Sequence, residues 1–366
     1  MNKLFYKISI YTIIISILII LVPTEYSIAS SVDNSAYVVI EESTNRILYE
    51  ENSDAKLPMA STTKIITAIV TLEHANLEDE VIIPREAVGI EGSSIYLRAG
   101  ESYTIRDLLH GLMLRSGNDS AVALALHVGG TIENFAKLMN DKAQSVGAYN
   151  TNFTNPHGLH DKNHYTTARD LAILTSYAYK NADFREIVSA RKYNLKGEFI
   201  YNKNKLLSMY DGADGVKTGY TTKSGRCLVS ASKRGDMRVI CVVLNCYDMW
   251  NKSISLMNKA HSEYSLHEII SPESETKINV IGGIFDTTVA KPTKSILYPL
   301  TKSEISKLEY SYEVFDLKAP VYKNEICGSV EVYLDKRLIF KENIYTINNV
   351  RKKTLLDWIS DLTNHN

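Results

Sequence analysis

The sequence predicts an α+β protein whose larger part is one antiparallel sheet with helices packed against it. Two short apolar runs near the start, residues 37–40 and 46–49, flank a polar turn and indicate a β-hairpin. Further β-type runs lie between residues 215 and 244, and the segment between carries helical periodicity. Strands that open and close such a segment pair most simply in a single sheet. After residue 272 short β-type runs predict a second, smaller domain of strands only.

Helical periodicity is clearest in the middle of the chain. Residues 61–72 carry apolar side chains on most sides, which predicts a helix buried inside the domain. Thr104 is an N-cap candidate for a helix that ends near Arg115, because apolar side chains recur behind it at the i, i+3, i+4, i+7 spacing. The same reasoning predicts further helices over residues 119–126, 132–145 and 166–179.

The later strands follow from β-type runs bounded by turn residues. In the larger domain these runs cover residues 215–221, 227–231 and 239–244. In the smaller domain they cover residues 277–280, 295–298, 310–314, 328–333 and 337–340. A short amphipathic helix is predicted at the end of the chain, over residues 354–362.

Composition excludes several classes of protein. The 366 residues include 41 Lys and Arg and 42 Asp and Glu, a net charge of -1. Phosphate binding needs a clear excess of cations, so nucleic acid is not an expected partner. Four cysteines in this length exclude a disulfide-stapled scaffold, and no metal-binding spacing such as C-x-x-C is present. We expect buried thiols, with Cys227 and Cys241 able to face each other on paired strands.

The N-terminus predicts export. Two lysines precede an apolar run over residues 8–22, which is shorter than the roughly 20 residues that a membrane-spanning helix needs. Small residues follow at Ser27 and Ala29, a pattern that a signal peptidase accepts. Residues 1–29 are therefore interpreted as a secretory signal, with an uncleaved membrane anchor as the alternative. Either way, the body of the protein is expected to work outside the cytoplasm.

Ser61 and Lys64 form the first candidate catalytic pair. On a helix, positions i and i+3 lie on one face, so the Lys64 amine can reach the Ser61 hydroxyl. A serine is a poor nucleophile unless a base takes its proton, and a lysine can be that base where burial and positive charge lower its pKa. The S-x-x-K pattern occurs five times, but only Ser61 opens a long apolar helix. The alternative for Ser61 is an N-cap serine that needs no lysine partner.

Two further short motifs carry polar groups suited to a bound peptide. Ser116 and Asn118 lie in a turn between two predicted helices, where they can present a hydroxyl and an amide together. Lys217 adds positive charge, Thr218 offers a hydroxyl to a carboxylate, and Gly219 permits close approach of a ligand to a sheet edge. Each motif alone is common, but S-x-x-K, S-x-N and K-T-G in this order are specific.

This order of motifs resembles that of the low-molecular-mass penicillin-binding proteins, the serine-type D-alanyl-D-alanine carboxypeptidases. The resemblance covers roughly residues 33–345, with supporting stretches at residues 57–64, 155–159, 165–172 and 214–221. It implies a catalytic domain of the β-lactamase/transpeptidase-like fold over residues 33–268. A small β-rich domain over 273–345 and a C-terminal amphipathic helix and tail over 350–366 would follow. The family works at the cell wall or the outer face of the cytoplasmic membrane, and we expect the same location here.

The resemblance also implies a mechanism on peptidoglycan stem pentapeptides. Lys64 would take the proton of Ser61, which attacks the carbonyl of the terminal D-Ala-D-Ala bond, and Ser116 would relay a proton to the leaving D-alanine. The backbone N–H groups of Ser61 and Tyr220 would stabilise the oxyanion. Substrate binding would involve Asn118, Lys217, Thr218, Gly219 and Tyr220. Water then hydrolyses the acyl-enzyme, β-lactams acylate Ser61 as substrate mimics, and no cofactor or metal is required.

Two positions depart from the family pattern. Relatives often carry a histidine after K-T-G, where this chain has Tyr220, and this changes little if only the backbone N–H is used. Relatives can also carry an arginine after the last strands that assists carboxylate binding. Residues 245–250 contain none, which predicts weaker carboxylate binding.

Two other kinds of active site are alternatives to this assignment. A β-lactamase-like hydrolase would need a glutamate in an E-x-x-L-N stretch to direct the deacylating water, and none lies between Asn118 and Lys217. His157, His160 and His164 resemble a metal site. Loop histidines without a helical H-x-x-x-H pair seldom meet zinc geometry, so no metal is expected.

The C-terminal helix has two interpretations. One face carries Leu355, Trp358, Ile359 and Leu362, which suits contact with a membrane surface, as the family resemblance implies. Two aspartates on the polar face would be repelled by anionic lipid. Packing of this helix on the second domain is the alternative.

Overall fold

The computed structural model describes residues 35–363, so the predicted export signal over residues 1–29 lies outside the described part. Within that part, no helix has both the length and the apolar character needed to cross a membrane. The description of side chains ends at residue 359.

The strands of the larger part lie both before and after most of its helices along the chain. In chain order they are β1 (Ala36–Glu41), β2 (Ile47–Glu51), β3 (Glu80–Ile82), β4 (Ser102–Thr104), β5 (Lys192–Leu195), β6 (Glu198–Tyr201), β7 (Ala213–Thr221), β8 (Gly225–Arg234) and β9 (Met237–Leu244). One five-stranded antiparallel sheet has the order β2-β1-β9-β8-β7. The first hairpin therefore pairs with the late strands, and the predicted α+β class is confirmed.

The helices of this part are α1 (Lys64–His74), α2 (Ile105–Leu114), α3 (Asn118–Gly129), α4 (Ile132–Ser145), α5 (Ala168–Ala178), α6 (Ala182–Ser189), α7 (Leu206–Met209) and α8 (Met249–Glu263). A 3-10 turn over Ala60–Thr63 leads into α1. Thr104 caps α2 as predicted, since its hydroxyl accepts the Asp107 N–H at 3.1 Å while the Asp107 carboxylate accepts the Thr104 N–H at 3.3 Å. All five predicted helices of this part are confirmed.

Both faces of the sheet are buried, which explains the almost unbroken apolar runs in β1 and β9. Side chains alternate between the two faces along a strand. Val38 and Ile40 therefore pack in the cluster that contains Ile65 of α1, whereas Val39 packs on the other face with Met257 of α8. Helix α8 is not among the predicted helices, although its buried residues recur at helical spacing: Met249, Ser253, Leu256, Met257 and Ala260.

The expectation that Cys227 and Cys241 face each other is wrong. Cys241 lies opposite Ser230 and packs in the cluster under α8, whereas Cys227 packs in the cluster on the other face of the sheet. Ser230, the register partner of Cys241, is three residues along the strand from Cys227, an odd number, so the side chains of the two cysteines leave the sheet in opposite directions. All four cysteines are described, and no disulfide joins them.

The smaller part is built of strands apart from one helical turn and a terminal helix. Its elements are β10 (Tyr264–Ile270), β11 (Thr276–Ile281), β12 (Thr287–Lys291), β13 (Ile296–Thr301), α9 (Lys302–Ile305), β14 (Leu308–Val314), β15 (Leu317–Lys318), β16 (Ile326–Leu334), β17 (Arg337–Thr346) and the terminal α10 (Leu355–Thr363). A six-stranded sheet has the order β14-β16-β17-β12-β11-β15, and β10 pairs with β13. The five strands predicted for this region are confirmed, while β10, β12 and β15 are not predicted.

Arg46 joins the first hairpin to the smaller part. Its guanidinium donates to the Pro299 carbonyl and, at 2.5 Å, to the Glu304 carboxylate. The same group lies over the rings of Tyr264 and Tyr298, at 5.4 and 5.0 Å from the ring centroids. These contacts fix the edge of the central sheet against β13.

Candidate active site

Ser61 lies in the 3-10 turn that leads into α1, at the edge of a cavity of about 420 Å³. Asn118 and Tyr220 line the same cavity. The residue before the serine, Ala60, has φ of +49°, a backbone conformation that non-glycine residues seldom adopt. Strain of this kind persists only where the surrounding structure holds it, and it is common beside reactive groups.

The Lys64 amine lies beneath Ser61 and is fully buried. Its Nζ is 3.0 Å from Ser61 Oγ, so the predicted pair is formed. Nζ also donates to Asn118 Oδ1 at 2.6 Å and to the His157 carbonyl at 2.8 Å. All three partners are uncharged, so none of them compensates a buried positive charge as a carboxylate would.

The orientation of the Asn118 amide is set by its other partner. Asn118 Nδ2 donates to the carbonyl of Glu91 at 2.5 Å, and a carbonyl can only accept. Oδ1 must therefore face Lys64. The amide nitrogen has a second N–H, and the predicted contact of Asn118 with the substrate would use it.

Burial and positive neighbours both lower the pKa of Lys64. Burial is the larger cause, and the charges of Lys217 and Lys203 add to it, while Asp119 acts in the opposite direction. A neutral amine has two N–H groups and one lone pair. Because Asn118 Oδ1 and the His157 carbonyl take the two N–H groups, the lone pair of a neutral Lys64 is directed at the Ser61 hydroxyl.

Strand β7 brings the K-T-G motif against the 3-10 turn that carries Ser61. A Cβ at Gly219 would lie 3.1 Å from the backbone nitrogens of both Ser61 and Thr62, so a larger residue would crowd the turn. Lys217 is buried, and its Nζ donates to the Thr218 carbonyl at 2.9 Å. Burial, with a contribution from Lys203, lowers the pKa of Lys217 to about 7.

Ser116 is buried in the turn between α2 and α3, with φ of +62°. The turn is fixed by backbone bonds on both sides, because Gly117 N–H donates to the Gly111 carbonyl and Asn118 N–H to the Ser93 carbonyl. Within the described part of the chain, no hydrogen bond joins the Ser116 hydroxyl to Ser61 or Lys64. Its role as a proton relay therefore stays a prediction.

Asp119 is a site residue that the sequence analysis misses. Its buried carboxylate accepts the Ser94 hydroxyl at 2.5 Å and the N–H groups of Ile95 and Leu97 at 3.0 and 3.2 Å. These bonds hold the segment that carries Tyr96, which walls the cavity. The position of an acidic residue directly after S-x-N, in the first turn of an apolar helix, is the sequence signal that points to Asp119.

Two cations on the cavity wall are also missed. Lys203 and Arg115 both line the cavity, and the Lys203 amine donates to the Ser93 hydroxyl at 3.0 Å. Burial and the charge of Arg115 lower the pKa of Lys203. Neither residue belongs to a motif, so the sequence alone carries no signal for them. Both residues supply positive charge to the cavity. The lack of an arginine in residues 245–250 predicts weak carboxylate binding, and these two cations add charge that this prediction does not include.

Two of the three histidines that resemble a metal site, His157 and His164, have other partners in the structure. His157 lines the cavity and uses its carbonyl to hold Lys64. The ring of His164 is buried and hydrogen-bonded to Thr63 and Thr154. Across residues 35–363, no group of three or more His, Cys, Asp or Glu side chains is placed to hold a metal ion.

Comparison with known sequences identifies the family. The sequence profile described as D-alanyl-D-alanine carboxypeptidase matches residues 24–248. The chain belongs to the D-alanyl-D-alanine carboxypeptidase family. The profile described as penicillin-binding protein 5, C-terminal domain, matches residues 264–352, so the smaller part also has a counterpart among these serine peptidases.

Relatives of this carboxypeptidase family match along most of the chain. D-alanyl-D-alanine carboxypeptidase DacF of Bacillus subtilis is 30% identical, over 88% of this chain and 89% of that relative. D-alanyl-D-alanine carboxypeptidase DacC of Escherichia coli is also 30% identical, over 88% of this chain and 86% of that relative. Among solved structures, penicillin binding protein 5 from Haemophilus influenzae superposes with a TM-score of 0.75 at 29% identity, covering 87% of this chain and 97% of that one. The predicted family and fold are thus confirmed.

Asp119→Asn is expected to lower the free energy of unfolding by about 2 kcal/mol, because hydrogen bonds to a charged acceptor contribute about 1.5–3 kcal/mol each and an amide keeps part of them. Urea denaturation of the two proteins measures the difference. Asp141→Asn, a change of an exposed aspartate on α4, is the control and should leave the midpoint unchanged. Equal midpoints for Asp119→Asn and the unmodified protein would show that Asp119 does not hold the cavity wall.

Proposed function

We propose that this family member removes the terminal D-alanine from peptidoglycan stem pentapeptides through an acyl-enzyme on Ser61, and that β-lactams acylate the same serine. The observation that carries the assignment is the geometry at Lys64. Its two fixed acceptors leave one direction for a neutral amine's lone pair, and Ser61 Oγ lies there at 3.0 Å. Removal of a serine proton by a positioned base is general base catalysis.

Acylation begins when the Ser61 hydroxyl gives its proton to Lys64 and its oxygen attacks the carbonyl carbon of the penultimate D-alanine. The tetrahedral oxyanion then accepts hydrogen bonds from the backbone N–H groups of Ser61 and Tyr220. Donors of this kind, fixed in advance, are each worth about 3–4 kcal/mol in the transition state. The close approach of Gly219 to the Ser61 nitrogen supports this arrangement, because it places β7 beside the catalytic turn.

Breakdown of the tetrahedral intermediate needs a proton on the leaving nitrogen. We assign that delivery to Ser116, with Lys64 as the source of the proton. D-Alanine leaves, and water then attacks the ester carbonyl, with the proton of that water taken by the same base. The enzyme returns to its starting state without a cofactor or a metal ion.

Recognition of the substrate's terminal carboxylate is assigned to Lys217 and Thr218. Lys203 and Arg115 on the cavity wall extend the positive potential over the same space. We assign to Asn118 the acyl-side peptide group of the substrate, through the second N–H of its amide. Gly219 and Tyr220 contribute backbone beside that group.

The purified protein is expected to release D-alanine from a pentapeptide that ends in D-Ala-D-Ala, and Ser61→Ala is expected to lower that rate at least ~10³-fold because the covalent intermediate can no longer form. An enzyme-coupled D-alanine assay measures the rate. A fluorescent penicillin should label the unmodified protein and not the variant.

Ser274→Ala is the matched control for this experiment, because Ser274 opens another S-x-x-K sequence, outside the catalytic region. It should release D-alanine and take the label at the unmodified rate. Release of D-alanine by Ser61→Ala at the unmodified rate would refute the assignment of the nucleophile.

The kcat/KM for a peptide with a free terminal carboxylate is expected to fall as the pH rises above about 7, the pKa of Lys217. Lys217 carries its charge below this pH and loses it above, and kcat/KM reports the ionisation of the free enzyme. The matched substrate is the same peptide with a terminal carboxamide, whose kcat/KM should not fall over this range. Parallel pH profiles for the two substrates would contradict the role of Lys217.

We further propose a domain organisation and a location for the mature protein. Residues 33–268 form the catalytic domain, residues 273–345 the small β-rich domain, and residues 350–366 the terminal helix and tail. The segment over residues 1–29 directs export, and the enzyme acts outside the cytoplasm. Its terminal helix contacts the membrane surface.

The apolar side of α10 supports the membrane contact. Leu355, Trp358 and Ile359 are 77%, 53% and 51% exposed, so this side is not covered by the smaller part. Asp357 pairs with Arg351 at 2.6 Å, which offsets the negative charge that would repel anionic lipid. An amphipathic helix of this kind lies in the interfacial plane of a membrane.

The full chain without residues 1–29 is expected to sediment with vesicles of phosphatidylglycerol and phosphatidylethanolamine. The double change Leu355→Ser and Trp358→Ser should abolish most of this binding, because it removes the apolar area that the lipid would bury. Tyr247→Ser, at another strongly exposed apolar position, is the control and should bind as the unmodified protein does. Equal sedimentation of the double variant would rule out contact through α10.

A further inference from the structure

His164 lies buried behind the catalytic turn, and the mechanism above does not use it. Its side chain is 3% exposed, and its ring packs edge-on against Phe153 with the centroids 5.8 Å apart. Both ring nitrogens are engaged. Nδ1 is 3.1 Å from the backbone nitrogen of Thr154, and Nε2 is 2.8 Å from the hydroxyl of Thr63.

The partners of the two nitrogens fix the tautomer of the ring. A backbone N–H can only donate, so His164 Nδ1 accepts the Thr154 N–H and carries no proton. Burial lowers the pKa of His164 to about 4, so the ring is neutral at neutral pH. Its single proton is therefore on Nε2, which donates to Thr63 Oγ1.

Thr63 links His164 to the turn that carries Ser61. Its hydroxyl has one proton, and that proton is donated to the carbonyl of Ala60 at 2.8 Å. Ala60 is the residue with φ of +49° that directly precedes Ser61. One continuous chain of hydrogen bonds thus runs from the Thr154 N–H through His164 and Thr63 to the Ala60 carbonyl. Bonds in such a chain polarise and strengthen one another.

A second contact holds the same carbonyl in place. A Cβ at Gly158 would lie 1.9 Å from the Ala60 oxygen and 2.8 Å from Thr63 Oγ1, so the Gly158 backbone packs directly on both groups. The preceding residue, His157, provides the carbonyl that accepts from Lys64. One loop therefore touches the peptide that carries the nucleophile and the side chain that carries the base.

We infer that His164 and Thr63 are positioning residues that hold the Ala60 carbonyl, and through it Ser61, at the distance from Lys64 that acylation requires. The inference rests on the proposed function, in which Ser61 is the nucleophile. Neither residue touches the substrate, and both act through the backbone of Ala60. Displacement of reacting atoms by about 1 Å is enough to cost a large factor in rate.

The test compares variants that remove or keep the Thr63 hydroxyl. Thr63→Val keeps the shape of the side chain but removes the link, and it is expected to slow acylation by a fluorescent penicillin about 10- to 100-fold. Thr63→Ser restores the hydroxyl and should restore the rate. His164→Phe keeps a packed ring without the Nε2 proton and should be as slow as Thr63→Val. The double variant should be no slower than either single one, because both changes break one chain.

Thr71→Val is the matched control. Thr71 is a buried threonine of α1, the helix that follows Thr63, and its hydroxyl donates to the Thr67 carbonyl at 2.8 Å within that helix. It should acylate at the unmodified rate. With a D-Ala-D-Ala peptide, Thr63→Val should lower kcat and leave KM unchanged, since the groups that bind substrate are intact.

The final extent of labelling separates positioning from a loss of folded protein. Thr63→Val should label slowly but completely. The inference is overturned if Thr63→Val labels at the unmodified rate, if Thr71→Val is slowed equally, or if the labelled fraction falls in proportion to the rate. Failure of the proposed function itself would differ from all of these, because Ser61→Ala would then still take the label.

Discussion

The burial of the Lys64 amine is the constraint on which the rest of the active site depends. A lysine removed from water resists carrying a charge, and here its direct partners are a hydroxyl, an amide oxygen and a backbone carbonyl. These uncharged partners do not compensate the charge of an ammonium, but they match the hydrogen-bonding groups of a neutral amine. Asn118 and His157 engage its two protons, and Ser61 meets its lone pair. In the proposed mechanism, the turn, the S-x-N motif and the loop therefore act together to present a base to the serine.

The positive charges around this amine have two effects at once. Lys217 and Lys203 favour the neutral form of Lys64, and in the proposed mechanism they also attract the carboxylate at the end of a peptide. Arg115 adds to the same potential from the cavity wall. A net charge of -1 over the whole chain is compatible with this, because the substrate responds to the local field in the cavity rather than to the total charge. In the proposed mechanism, activation of the nucleophile and recognition of the substrate thus share one set of cations.

The sequence predicts features that depend on residues close together along the chain, and it does not predict contacts between residues far apart along the chain. Ser61 and Lys64 are three positions apart on a helix, and Thr104 caps its own helix, so local patterns predict both. The amide orientation of Asn118 depends on Glu91, far away along the chain, and Lys203 reaches the cavity from a segment with no motif. No local pattern contains such contacts. The Cys227 and Cys241 assignment fails for a related reason, because which face of a sheet a side chain occupies depends on register, and a single residue of shift reverses it.

Two non-glycine residues at the site have positive φ. Ala60 directly precedes the S-x-x-K motif at the start of α1, and Ser116 is the first residue of the S-x-N motif at the start of α3. Each is held by hydrogen bonds and packing rather than by ion pairs: Ala60 by Thr63 and Gly158, and the Ser116 turn by backbone bonds to the segments before it. Hydrogen bonds between neutral buried groups are little affected by salt. The positions of Ala60 and of the Ser116 turn are therefore fixed by neutral groups before substrate arrives. Changes in pH act on the protonation of the lysines, while the distances between the reacting atoms are set by the neutral network beneath them.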